Sequence, residues 1–196
     1  MSGGRGLAHN LAMRLLLSVL LVSAGIWSVS PVLADQTDPR LDNLFGILQS
    51  SDQRIELRAA ENLIWATWLQ HDNTEYERLM RRGAQAMGER RYDQAIGIFS
   101  SLIQKATDYA EAWNKRATVY FLIGDLSLSI KDVDRTLELE PRHFGALSGL
   151  GQIELLRGNG DAALKAFEGA LRVHPGMSGI QPLIDKLEDE VRGRPL

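Results

Sequence analysis

The central part of the chain repeats one pattern three times, and this repetition limits the fold more than any other feature. Blocks that begin at Tyr76, Ala110 and Phe144 lie 34 residues apart. The same kinds of residue recur at the same offsets within each block: Leu79, Trp113 and Leu147; Gly83, Ala117 and Gly151; Ala95, Ser129 and Ala163; Phe99, Val133 and Phe167; Ile103, Leu137 and Leu171; Thr107, Pro141 and Pro175. A fixed period of this length predicts a repeat architecture, whose units bury their apolar faces only by stacking on one another.

Each block has room for two antiparallel helices, A and B, joined by a turn near residues 88–92, 122–126 or 156–161. The small residues let the two helix backbones approach closely, and the Phe or Val column fills the space between units. After the third block, apolar residues recur at helical spacing: Ile180, Leu183, Ile184, Leu187 and Val191. Residues 178–196 are therefore predicted to form a capping helix, with Pro182 in its first turn.

The motifs inside the blocks identify a family resemblance. The second block reads Trp113-x3-Ala117-x2-Tyr120 and then Pro141, and the third reads Leu147-x2-Leu150-Gly151, Ala163-x3-Phe167 and Pro175. This pattern closely resembles the tetratricopeptide repeat (TPR). The chain departs from the family pattern at Thr107, Arg116 and Glu154. The resemblance implies an all-α, right-handed superhelix of three helix pairs (76–109, 110–143 and 144–177) with capping helices at both ends.

Residues 1–34 have the pattern of a secretory signal peptide. Arg5 and Arg14 precede an almost unbroken apolar run over residues 15–26, and the small-residue segment that ends at Ala34 matches a cleavage site. Cleavage after Ala34 is expected, and the mature chain would then be periplasmic in a Gram-negative bacterium. The alternative is an uncleaved membrane anchor, for which the apolar run is short. Met13 is an alternative start to Met1.

Residues 35–75 are predicted to form a short flexible tail and two helices that cap the stack. The first helix has an apolar stripe of Leu41, Leu44, Phe45 and Leu48, and the second, over about 53–70, has one of Ile64, Trp65, Trp68 and Leu69. Such a stripe is typical of core, so the tryptophans are expected to cover the first repeat rather than bind a ligand. Two strings, Thr74-x-x-Glu77 and Asp108-x-x-Glu111, are interpreted as capping boxes of A helices.

Composition and motifs argue against several functions. The absence of cysteine excludes disulfides and thiolate chemistry, and the net charge of −3, or −5 without residues 1–34, disfavours nucleic acid as a partner. The histidines have no metal-ligand spacing, and the acidic residues are expected on polar faces or at helix caps. The string Gly158-x-Gly160-x-x-Ala163 matches a dinucleotide fingerprint, but it joins two predicted helices. No catalytic residue, metal or cofactor is predicted.

The TPR resemblance implies that A-helix side chains line a concave surface that receives a peptide or helix of a partner. The positions carried over are Met80, Arg81, Ala84, Met87, Asn114, Lys115, Thr118, Phe121, Ser148, Gln152 and Leu155, with Glu77, Glu111, Leu122, Gly145 and Gly149 beside them. Arg81 and Lys115 would orient an acidic segment, and Phe121 would contact an apolar anchor.

TPR proteins that bind the acidic tails of heat-shock chaperones use Lys, Asn and Arg at five A-helix positions. The equivalent residues here are Met80, Ala84, Lys115, Gly145 and Gly149. Only one is basic, so this particular activity is not expected. The resemblance therefore implies a periplasmic, non-enzymatic adaptor or scaffold for another protein partner. Two alternatives stay open: an obligate structural subunit of a self-associated or membrane-tethered envelope complex, and a hydrolase that uses carboxylates, which would need two facing acids in a cleft.

Overall fold

Helices account for all the regular structure in the described part of the chain. A computed structural model describes the backbone of residues 35–192 and the side chains as far as residue 190. The helices in chain order are α1 (Arg40–Ser50), α2 (Arg54–Leu69), α3 (Thr74–Gly88), α4 (Tyr92–Lys105), α5 (Ala110–Leu122), α6 (Leu126–Leu139), α7 (Phe144–Leu156), α8 (Gly160–Val173) and α9 (Gln181–Arg192). The predicted signal peptide, its cleavage site and the side chain of Val191 lie outside the described residues.

The helices pair as the 34-residue period predicts. Helix α3 packs on α4, α5 on α6, and α7 on α8, and successive pairs stack through α4 on α5 and α6 on α7. The connections at residues 89–91, 123–125 and 157–159 fall within the predicted turns. All the described residues belong to one compact unit. The predicted all-α repeat of three helix pairs is confirmed.

Glycine lets the two helices of a pair approach at the aromatic residue of the B helix. A Cβ added to Gly83 would lie 2.5 Å from the Phe99 ring, and one added to Gly151 would lie 2.5 Å from the Phe167 ring. Contacts this close do not occur in packed interiors, so any side chain at these positions would force the helices apart. The second pair solves the same packing problem with smaller partners, because Ala117 packs in one cluster with Val133.

Helices α1 and α2 pack on each other but do not cover the first repeat. Their buried residues Phe45 and Trp68 form a core cluster with Phe144, the first residue of α7. Helix α2 also contacts α5, and α1 contacts α8. The interpretation of the tryptophan stripe as core is confirmed, since Trp68 is buried and Trp65 is half-buried. Leu69, the last residue of the predicted stripe, is exposed. The expected partner was wrong, because the stripe meets the end of the second block at His143 and the start of the third at Phe144, rather than the first block.

The segment before α1 is anchored by side-chain contacts. Gln36 donates from Nε2 to the carbonyl of Asp108 at 2.6 Å and accepts from the N–H of Ala110 at 3.2 Å. A little further on, Asp42 pairs with Arg142 at 2.7 Å. These bonds tie the N-terminal segment to the starts of the second and third blocks, so the prediction of a flexible tail at residues 35–40 was wrong.

The A helices begin differently from the predicted capping boxes. The cap of α3 is Asn73, whose Oδ1 accepts from the N–H of Glu75 at 2.8 Å, and Thr74 is already helical. Helix α5 begins after Tyr109 with no side-chain cap. Both capping boxes were therefore wrong, and Glu111 makes other contacts, described below.

The last helix covers the open end of the stack, as predicted. Ile180, Ile184 and Leu187 form a core cluster with Ala163 and Phe167 of α8. Pro182 is the second residue of α9 and lies in its first turn, where a missing N–H costs no helix bond. Between residues 35 and 192, none of the helices has both the length and the apolar character that a membrane crossing requires.

Candidate functional site

A cavity of about 300 Å³ opens between α5 and α7, where concave-face residues were expected. Its lining comes mostly from the second and third blocks: Asn114, Ala117, Thr118, Phe121, Leu122, Ser129, Val133, Gly145, Ala146, Ser148, Gly149, Gln152, Ile153 and Met177. The predicted residues that line it are Asn114, Thr118, Phe121, Ser148 and Gln152, with Leu122, Gly145 and Gly149 beside them. The structure therefore brings half of the predicted concave surface together in one place.

The cavity forms because three of its residues are smaller than the residues at the equivalent positions of the other blocks. Val133 stands where the first and third blocks have Phe, and Gly145 and Gly149 have no side chain to fill the groove. A Cβ added at Gly149 would meet nothing within 4 Å. Leu122 at the rim is 48% exposed, and no charged side chain lines the cavity. Sequence reasoning missed Val133 as a lining residue, although its departure from the Phe column was a usable signal.

The first block contributes nothing to this cavity. Met80 is only 2% exposed and packs in the core of the first pair, so its prediction as a partner-binding residue was wrong. Arg81 is exposed and pairs with Glu77 at 3.3 Å, while Ala84 and Met87 lie half-buried away from the lining. Leu155 was also misplaced, because it packs against the cluster under α9.

Helix α2 occupies the neighbouring part of the predicted concave surface. A Cβ added to Gly145 would lie 2.5 Å from the Trp65 ring, so the indole rests directly on the α7 backbone. The same ring meets Phe144 edge-on, with 5.3 Å between ring centroids. The N-terminal hairpin thus covers the start of α7 and leaves the cavity as the open portion of the groove.

A buried polar cluster centred on Glu111 joins this hairpin to the repeats. The Glu111 carboxylate is 1% exposed, with Lys115 Nζ at 3.0 Å, His143 Nε2 at 2.9 Å and Asn114 Nδ2 at 2.8 Å. Burial raises the pKa of this carboxyl, but Lys115 and His143 together outweigh that effect, and the net pKa lies below the usual value. Glu111 is therefore ionised inside the protein and balanced by Lys115.

The tautomer of His143 follows from its hydrogen bonds. Its Nδ1 accepts from the N–H of Ala146 at 3.0 Å and so caps α7. The proton of the neutral ring is therefore on Nε2, which donates to Glu111. The imidazole also stacks on the Trp68 ring with centroids 4.1 Å apart. One side chain thus connects α2, α5 and the start of α7.

These contacts change the interpretation of Lys115. Its ammonium lies over the Trp65 ring at 5.7 Å from the centroid while it pairs with Glu111. Lys115 is therefore engaged within the molecule and does not line the cavity. The expected role of this lysine in orienting an acidic partner has no support in the geometry.

Several other acidic residues are buried, contrary to the expectation of polar faces and caps. The carboxylate of Asp132 accepts a hydrogen bond from Arg116 Nε at 2.7 Å, and that of Glu140 accepts one from Arg142 Nε at 3.1 Å. These pairs link helices or fix loops, as buried charges require partners. Within residues 35–190, no three side chains of the His, Asp or Glu type converge as they would around a metal ion.

The fold and the groove define a class of helical-repeat protein, and comparison with known proteins identifies the family. A family model described as "Tetratricopeptide repeat" matches residues 123–178. A TPR repeat-containing protein of Rhizobium etli is 33% identical over 199 residues, covering 93% of this chain and 98% of that protein. The chain belongs to the tetratricopeptide-repeat family.

Two solved structures illustrate the shared fold. The first TPR of Spaghetti (RPAP3), bound to the HSP90 peptide SRMEEVD, has a TM-score of 0.59 and 18% identity, and the match covers 62% of this chain and 97% of that one. MamA has a TM-score of 0.57 and 22% identity, with coverage of 70% and 77%. Such levels of identity establish the fold, and proteins of this family mediate protein–protein interaction.

Proposed function

We propose that this chain is a non-enzymatic adaptor that binds a peptide or helix of a partner protein and holds one of its apolar side chains in the cavity between α5 and α7. The observation that carries the proposal is that cavity, about 300 Å³ in volume and without a charged lining residue. A TPR of the same fold has a bound peptide. Burial of one large apolar anchor supplies much of the binding energy in such grooves.

The rim of the cavity suggests how the partner would be held in register. Gln152 is exposed, and Thr118 and Ser148 add hydroxyl groups within the lining. These groups can bond to the backbone of a bound segment on either side of its apolar anchor. The partner segment is therefore apolar with hydrogen-bonding flanks, rather than acidic, because the cavity offers no cation.

Filling the cavity should abolish partner binding without harming the fold. Gly149→Leu places a side chain where a Cβ meets no atom within 4 Å, and Gly97→Leu makes the same change at an exposed, equally open position of α4. Both variants should keep or slightly raise the melting temperature, because glycine disfavours helix.

Peptides selected from a random library for binding to residues 35–196 should share a bulky apolar residue. Gly149→Leu should weaken their binding by about 2 kcal/mol or more, roughly thirty-fold.

Fluorescence anisotropy of the selected peptides measures this difference. The Gly97→Leu variant should bind them as the parent chain does. Equal binding by the parent and both variants would show that the peptides attach elsewhere and would contradict the proposed groove.

We also propose export to the periplasm, supported by the signal-peptide pattern of residues 1–34. After expression of the full chain in a Gram-negative host, the intact mass of the periplasmic form should correspond to a start at Asp35. Ala34→Leu should block cleavage because the position before the cut requires a small residue, while Leu33→Ala should leave it unchanged. A membrane-bound, unprocessed parent chain would instead support the anchor.

A further inference from the structure

A second cleft lies on the other side of Met177, which lines both it and the groove cavity. The cleft has a volume of about 440 Å³ and lies between the first turns of α2 and the loop that follows α8. Its lining residues are Arg54, Leu57, Arg58, Glu61, His174, Gly176, Met177 and Ser178. It has charged lining residues, which the groove cavity lacks.

Two arginines of this cleft have no partner among the described residues. Arg54 and Arg58 lie four residues apart on α2, so their side chains share one face of the helix. Both are exposed, and neither makes an ion pair or hydrogen bond within residues 35–190. Most of the other arginines between residues 35 and 190, such as Arg116 and Arg142, form an ion pair with a carboxylate. The cleft therefore has two free guanidinium groups.

The buried wall of the same cleft has an unsatisfied ring nitrogen. His174 is 2% exposed, and its Nδ1 has no hydrogen-bond partner. Its Nε2 lies 3.6 Å from Glu61, the single acidic residue of the lining. A buried polar atom without a partner costs free energy, so it calls for an explanation such as a ligand.

The backbone adds to the positive potential of the cleft. Helix α2 begins at Arg54, and its N-cap residue Gln53 makes no side-chain cap bond. The helix dipole favours a negative charge near this end of α2, where Glu56 already lies in the first turn. The two arginines favour an anionic ligand, the unpartnered ring nitrogen offers it a buried polar contact, and Glu61 opposes it with one negative charge.

We propose that this cleft binds an oxyanion group, a phosphate or a carboxylate, with Arg54 and Arg58 as the principal donors. Guanidinium groups match the planar or tetrahedral oxygens of such ligands and bind them through paired hydrogen bonds. His174 lies at the inner wall and Ser178 at the loop side of the site. The site does not depend on the groove between α5 and α7, so either can exist without the other.

Titration of residues 35–196 with inorganic phosphate at constant ionic strength tests this site, and N-acetylglycine is the carboxylate probe. Amide and imidazole NMR signals of residues 54–58 and 174–178 should shift and saturate with the probe that fits. The double variant Arg54→Ala and Arg58→Ala should weaken that binding by about tenfold or more, because it removes the charged hydrogen-bond donors, which contribute more to affinity than neutral ones. Saturation with one probe alone identifies the oxyanion source.

The chain offers a matched control pair. Arg78 and Arg82 also lie four residues apart, are exposed on α3 and make no ion pair within residues 35–190, but they line none of the described cavities. Arg78→Ala with Arg82→Ala should change the affinity by less than about twofold, since distant exposed charges are screened. Shifts that never saturate, or equal weakening by both double variants, would overturn the proposal. Circular dichroism should confirm the same helix content in both.

Discussion

Phe167→Ala is expected to lower the free energy of unfolding by about 3–5 kcal/mol. Phe167 is fully buried and packs against the backbone at Gly151 and against the α9 cluster. Truncation leaves a cavity, and Gly151 on the facing helix has no side chain that could move to fill it. Urea unfolding followed by circular dichroism measures the loss. An unchanged unfolding midpoint would contradict the interior position of this ring.

The second block suggests a sharper version of this experiment. There the equivalent pair is Ala117 and Val133 instead of glycine and phenylalanine. Gly151→Ala alone should be destabilising because its Cβ would lie 2.5 Å from the Phe167 ring, and Phe167→Val alone should leave a void. The double variant reproduces the second-block pair and should recover part of the loss, with a coupling energy of about 1–3 kcal/mol. Strict additivity would show that the two positions do not pack as a pair.

The parts of the fold that could be predicted are those that a repeat unit determines within itself. The turns fall where the period places them, and the small residues face the large ones at fixed offsets. Pro182 and the stripe around Ile184 also predicted α9 and its buried face correctly. Each of these features depends on residues less than one period apart, so the pattern alone contains the information.

Contacts between distant segments could not be predicted in the same way. The stripe of Trp65 and Trp68 predicted burial, but helical spacing does not say which surface covers it. That surface is the start of α7, where Gly145 leaves room for an indole. Only half of the candidate site could be predicted, for the same reason. The groove positions of the second and third blocks follow from the repeat pattern, whereas the packing of the α1–α2 hairpin over part of the groove depends on residues far apart in the chain.

The first capping box missed the cap by one residue, and the second failed because a string of four residues cannot distinguish a cap from a buried charge. Glu111 matches the pattern after Asp108, yet its carboxylate bonds to Lys115 and His143. The spacing of Glu111 and Lys115 at i and i+4 was a competing signal in the same stretch. His143 could not be connected to it, because 32 residues separate the two in the chain.

Glu111→Leu is expected to cost about 3–5 kcal/mol of stability near neutral pH. The substitution leaves the half-buried Lys115 ammonium and the buried Nε2–H of His143 without their acceptor. Glu77→Leu is the matched control, since Glu77 is the equivalent residue of the first block and its carboxylate pairs with exposed Arg81 and accepts a long hydrogen bond from the N–H of His71 at 3.5 Å. That change should cost no more than about 1 kcal/mol. Equal losses from the two variants would contradict the role of the buried cluster.

The pH dependence of a second variant, Glu111→Gln, separates the charge of this group from its packing. The pKa of Glu111 is lower in the folded protein than the ordinary glutamate value of about 4.5, because Lys115 and His143 outweigh the effect of burial. The carboxylate of the unfolded chain therefore binds a proton more readily. The stability from its charge is therefore complete above that value and is lost as the pH falls through the folded pKa. A glutamine resembles the protonated acid, and the difference in unfolding free energy between the parent and Glu111→Gln should shrink steadily on acidification below about pH 4.5. A difference that stays constant between neutral and acidic pH would show that the charge contributes nothing, and that shape and hydrogen bonding alone hold the hairpin, α5 and α7 together.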